Sequence, residues 1–84
     1  MLFRSVHGHV TDALGNPLNK VKVKLIPVDG GRTKTVYTDA EGNYAESGMR
    51  ATAYNQVVTK GSLVKINALD VVTRVHLELN SVLA

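Results

Sequence analysis

Three histidines and a row of alternating lysines are the residues through which this chain could do chemistry. His7 and His9 stand two apart in "SVHGHVT", so on an extended strand both imidazoles leave the same face and could share a metal ion. Zinc would need a third ligand. His76 is the only other histidine and cysteine is absent, so carboxylates would have to complete the shell. Two same-face histidines without a defined third partner favour the plainer expectation that all three decorate exposed strands, with no metal and no cofactor. No Gly-x-Ser-x-Gly elbow, phosphate-cradling glycine loop or spaced carboxylate pair offers a nucleophile or an acid–base couple.

The lysines Lys20, Lys22 and Lys24 alternate with valine in "KVKVKL", with Arg32 and Lys34 near the following turn. Such a ridge could meet phosphates, an acidic protein or an anionic glycan. Formal net charge is only +3, and one Phe, three Tyr and no Trp leave little to stack on bases. Lysines on an exposed strand also guard a sheet against edge-to-edge pairing. That guard role, or the rim of a protein contact, is expected ahead of nucleic-acid binding.

Strands must position these groups, and period-two patterns dominate the chain. In "SVHGHVT", Val6, Gly8 and Val10 share one face and His7 and His9 the other. "DALGNP" is a secure turn. The next strand turns Val21, Val23 and Leu25 inward, and "TKTVYTD" reads as a third strand before the turn "DAEGN". "AESGMRATAYN" is either a strand or an irregular crossing between sheets, and Gly48 argues against one uninterrupted strand. "QVVTKGSLVKI" predicts a hairpin bent at Lys60–Gly61. "DVVTRVHLEL" predicts a last strand with Val71, Thr73, Val75, Leu77 and Leu79 on one face. Val6, Val10, Val21, Val23, Leu25, Val75 and Leu77 are the expected core. Six or seven short strands imply an all-β antiparallel sandwich in a single domain spanning residues 1–84.

Eighty-four residues lie near the lower limit for a self-supporting core, and without cysteine no disulfide staples it. Good sheet packing or a neighbouring subunit has to supply the remainder. No stretch approaches membrane-spanning length, and the start "MLFRSVHGHV", with one arginine and no apolar run, is not expected to act as a secretory signal. Read as complete, the chain is made in the cytoplasm and leaves it only by assembly. Read as an excised module, it belongs at the cell surface or outside the cell.

The run "VHGHVTDALGNPLNKVKVKLIPVDGGRTKTVYTDAEGNYA" resembles the carboxypeptidase regulatory-like, or transthyretin-like (prealbumin-like), domains. The shared pattern falls on Gly8, Val10, Asp12, Gly15, Pro17, Val21, Val23, Thr38, Asp39, Gly42 and Tyr44. It implies a Greek-key sandwich of seven strands. Gly8 would let a backbone or large side chain approach the sheet, and Gly15 and Gly42 would supply positive φ. Pro17 would set the start of the second strand, and Asp12 and Asp39 would cap turns. "HVTDALGNPLNKVKVKL" is also similar to the opening of the hydroxyisourate hydrolases, with His9 at their histidine position. That likeness implies an arginine, a late histidine and a terminal Tyr-Arg-Gly-Ser. Arg50 and His76 are the available stand-ins, but the chain ends "NSVLA".

The resulting expectation is a non-enzymatic structural or interaction module, with an accessory or decoration subunit of a phage particle as the specific case. An excised spacer or adhesion domain and the hydrolase are the alternatives. The partner is expected to be a protein or a second copy, with neither membrane nor nucleic acid involved. The apolar tail of "VHLELNSVLA" places Val82 and Leu83, beside the lysine row, as contact residues.

Overall fold

The computed structural model describes residues 4–50, 52–71 and 76–83. Its strands are β1 (Arg4–Asp12), β2 (Lys22–Pro27), β3 (Lys34–Tyr37), β4 (Asn43–Met49), β5 (Ala53–Lys60), β6 (Leu63–Asp70), β7 (His76–Glu78) and β8 (Ser81–Leu83). They form two sheets. One has the order β4-β1-β7, with β8 continuing beyond β7 along β1; the other has the order β3-β2-β5-β6. The chain is an all-β sandwich of the immunoglobulin-like, prealbumin-like kind.

The core lies where the alternation predicts it. Val6 and Val10 of β1 meet Val21, Val23 and Leu25 across the sandwich, all fully buried. Leu77 is half-buried against them, and Val75 lies outside the described residues. Tyr44, Met49, Tyr54, Val58, Leu69, Val71 and Leu83 complete the cluster. Between Met49 and Ala53 the chain leaves one sheet for the other, so this region is a crossing rather than one strand. Gly48, at φ 68°, sits in a bulge where β4 carries an extra residue against Arg4–Val6. The buried Tyr54 hydroxyl serves the crossing, accepting from Arg50 N–H and donating to Arg50 O. The β5–β6 hairpin turns at Gly61, as its sequence predicts, with Lys60 opposite Leu63.

The chain's end departs from expectation. Instead of one antiparallel strand, β7 and β8 both run parallel to β1, pairing with Ser5–His7 and Val10–Asp12 respectively. Between them the ladder breaks at Gly8. Leu79 O turns inward to accept the Tyr44 hydroxyl at 2.6 Å, and the Asn80 side chain accepts from His9 N–H at 2.9 Å in its place. A Cβ on Gly8 would overlap Leu79 O and stand 2.6 Å from the Tyr44 hydroxyl. The missing side chain thus lets a backbone carbonyl and a tyrosine meet over β1.

Two turns of the same wording, "DALGN" at 12–16 and "DAEGN" at 39–43, fold alike. In each, Asp Oδ1 accepts N–H groups two and four residues on, and the glycine N–H returns to the Asp carbonyl. Gly15 and Gly42 take φ 87° and 78°. The turns lie side by side: Val10 N–H donates to Gly42 O, and a Cβ on Gly42 would press on Val10 O and Pro17. Thr38 pins the β1–β2 connection by donating to Leu18 O and accepting from Val21 N–H.

Candidate functional site

The first sheet carries the histidines on its outer face. His7 is exposed, with Ala45 of β4 and Glu78 of β7 as its cross-strand neighbours. His9 Nδ1 lies 2.9 Å from Asn43 Oδ1. His76 Nδ1 lies 2.7 Å from Ser5 Oγ. Among the described residues no three His, Cys, Asp or Glu side chains converge to hold a metal ion.

The three residues that stand in for a hydrolase set each have a separate partner. Arg50 lies in the crossing and pairs with Asp29 of the β2–β3 loop at 2.6 Å, while His9 and His76 are held by Asn43 and Ser5. The Arg50 guanidinium, helped by Gly31 N–H, holds the Asp29 carboxyl below its usual range, and Asp29 in turn raises Arg50. A hollow of about 470 Å³ opens beside β3 and β4, lined by His7, Val36, Tyr37, Asp39, Asn43 and Tyr44 among others. None of His9, Arg50 and His76 lines it. The Tyr44 hydroxyl there is already engaged on both sides, and burial raises its pKa. A neutral, doubly bonded phenol is no nucleophile.

The lysine row is shorter than expected. Lys22 and Lys24 project from the outer face of the second sheet, half-buried. Lys20 is not on the strand: it occupies the preceding turn at φ 58°, where Asn19 and Lys20 reverse the chain. Lys34 pairs with Leu25 and so takes the opposite face, and Arg32 is in the loop before β3. The tail also needs correction. Val82 is 49% exposed, but Leu83 is 2% exposed, because pairing of β8 with Thr11 and Asp12 turns it into the core. It is a core residue and not a contact.

Sequence reasoning missed two features. One is a polar chain through the interior. Gln56, fully buried, donates to the Tyr44 hydroxyl at 2.8 Å and accepts from Asn67 Nδ2 at 3.0 Å, which also donates to Ser81 Oγ at 3.1 Å. It ties β4, β5, β6 and β8 together. Its signal was available: Gln56 stands at an inward position of "YNQVVT" between Tyr54 and Val58. The other is the outer face of the second sheet, where Tyr37, Val64 and Ile66 are 58%, 57% and 68% exposed beside Lys22 and Lys24. The alternation of "SLVKINALD" could have shown it, since an outward valine and isoleucine contradict a solvated face.

The described residues form a two-sheet β sandwich with a hydrogen-bonded polar interior and an apolar, lysine-bearing outer face. The carboxypeptidase regulatory-like domain family matches residues 5–83, and the chain belongs to that family. Its domains are non-catalytic. No curated protein matches the chain in sequence.

Proposed function

We propose that this domain is an interaction module that docks on a larger protein assembly, in the specific case as an accessory or decoration subunit of a phage particle. The observation that supports it is the outer face of the second sheet. A free antiparallel sheet turns polar groups to water, whereas this one turns Tyr37, Val57, Val64 and Ile66 outward. A cysteine-free fold held by a buried hydrogen-bond chain also suits a subunit that assembles without oxidation.

A photo-crosslinking residue in place of Ile66, with the same residue in place of His9 as control, tests the reading in the native cell. A discrete protein adduct from position 66 and none from position 9 is the expected outcome. Adducts to capsid, collar or tail proteins support the particle setting, and a cell-surface partner overturns it. Acceleration of hydroxyisourate hydrolysis by the purified domain would overturn the non-catalytic reading altogether.

A further inference from the structure

We infer that the outer face of the second sheet binds an acidic protein surface, with carboxylates set over Lys22 and Lys24 and aliphatic side chains over Val57, Val64 and Ile66. This deepens the interaction-module reading and rests on it. The strand register places the face in rows: Tyr37–Lys22–Thr59–Val64 and Thr35–Lys24–Val57–Ile66. Both cations stand on β2, two strands away from the exposed aliphatics of β6. At roughly 4.8 Å per strand, the cations stand roughly 10 Å from Val64 and Ile66, while Val57 lies directly opposite Lys24. Lys22 and Lys24 themselves are roughly 7 Å apart along the strand, a spacing met by carboxylates two apart on a partner strand or four apart on a helix.

Charge decides among occupants. The outward positions of β2, β3 and β5 hold no carboxylate, and the one on β6, Asp70, lies at the far corner opposite Ala53. A second copy laid on this face would gather four lysines in one interface, with only the corner Asp70 of each copy to offset them. Nucleic acid would find a single aromatic ring, Tyr37, and otherwise aliphatic groups without a π-face. A membrane-binding face needs its apolar groups beyond a rim of cations, and here the cations lie between Tyr37 and Val57. Complementary carboxylates with aliphatic contact are what remains, and protein surfaces supply both.

Amide-resolved NMR titration of the isotope-labelled domain tests this with a glutamate–tyrosine copolymer as probe, against polyglutamate, phosphatidylserine vesicles and oligothymidylate. That copolymer, and a glutamate–leucine copolymer that supplies the aliphatic contact, are expected to shift the amides of Lys22, Lys24, Val57, Val64 and Ile66, the leucine form binding at least as tightly. The Lys22→Glu/Lys24→Glu double variant is expected to weaken that binding by at least about tenfold, and Ile66→Ser by several-fold. Both exposed-face variants should melt like the parent, which separates lost binding from lost fold. Polyglutamate binding as tightly as the copolymers, tighter binding of vesicles or oligothymidylate, or self-association through this face each overturns the inference. So does failure of the copolymers to bind. Shifts confined to His7, His9 and Glu78 overturn this surface while leaving the interaction module standing.

Discussion

Replacing Tyr44 by phenylalanine keeps the ring in the core and removes only the hydroxyl, so it isolates the hydrogen bonds at the centre of the sandwich. That hydroxyl donates to Leu79 O at 2.6 Å and accepts from Gln56 Nε2 at 2.8 Å. Without it, a half-buried carbonyl and a donor on a fully buried glutamine lose their partner. Stranding a buried polar group costs about 1–3 kcal/mol, so Tyr44→Phe should cost about 2–4 kcal/mol. A domain of this size has about 4–12 kcal/mol in total, so the loss is a large fraction. In a thermal melt it corresponds to a fall of roughly 10–25 °C. Gln56→Leu is the matched control. Tyr44 still donates to Leu79 O and Asn67 Nδ2 keeps Ser81 Oγ, so no fully buried donor is stranded and the cost should stay near or below about 1 kcal/mol. Urea unfolding of both variants at neutral pH, compared by midpoint and slope, reads the difference. A Tyr44→Phe variant within about 0.5 kcal/mol of the parent, or a Gln56→Leu variant equally damaged, would refute the argument that the hydroxyl is the hub.

Val23→Asp should destabilise by several kcal/mol (roughly the scale for an unpaired buried charge), whereas Lys22→Asp should stay folded; melts ranked the other way would overturn the register. Gly8→Ala should be severely destabilising, because the added methyl meets Leu79 O and the Tyr44 hydroxyl; circular dichroism melts check it, and a parent-like melting temperature would contradict the close approach. Deleting 81–84 removes β8 with its buried Ser81 and Leu83, so the domain should unfold rather than merely lose a contact; a cooperative, parent-like melt would count against β8. For pH, the Asp12 carboxyl is lowered chiefly by the Asn16 N–H, and Asp29 by Arg50. Their contribution is present above the unfolded carboxylate range near pH 4 and is lost as pH falls through the lowered values. Tyr44 is raised by burial, so the unfolded chain ionises first and stability falls as pH climbs past about 10. Urea midpoints across pH should therefore drop at both extremes, with Tyr44→Phe losing the alkaline limb; an alkaline limb unchanged in that variant assigns it elsewhere.

The candidate site was legible only in pieces. Parity on β2 sent Lys22 and Lys24 outward, and the same parity rule carried Lys20 into the row although its backbone has already left the strand at φ 58°. Alternation cannot detect where a strand begins when a turn residue keeps the pattern. His7 and His9 share a face as their spacing dictates, but which partners His9, Arg50 and His76 take depends on which elements become neighbours, and the fold gives them Asn43, Asp29 and Ser5. The apolar tail around Leu83 read as a contact because an apolar terminus looks the same whether its surface is covered by a partner or by its own β1.

Local physics determined a great deal of this protein by itself. Two-residue alternation selected the inward valines of β1 and β2, and Asp-Ala-x-Gly-Asn chemistry set both turns, because each depends on groups only a few residues apart. Tertiary structure alone decided three things. It set β7 and β8 parallel to β1, brought Tyr44, Gln56, Asn67 and Ser81 into one buried chain, and gathered Lys22, Lys24, Val64 and Ile66 onto one exposed face. Parity tells which way each side chain points but not which strand lies beside which. The order β3-β2-β5-β6 brings residues some forty positions apart in sequence within two strand spacings of each other.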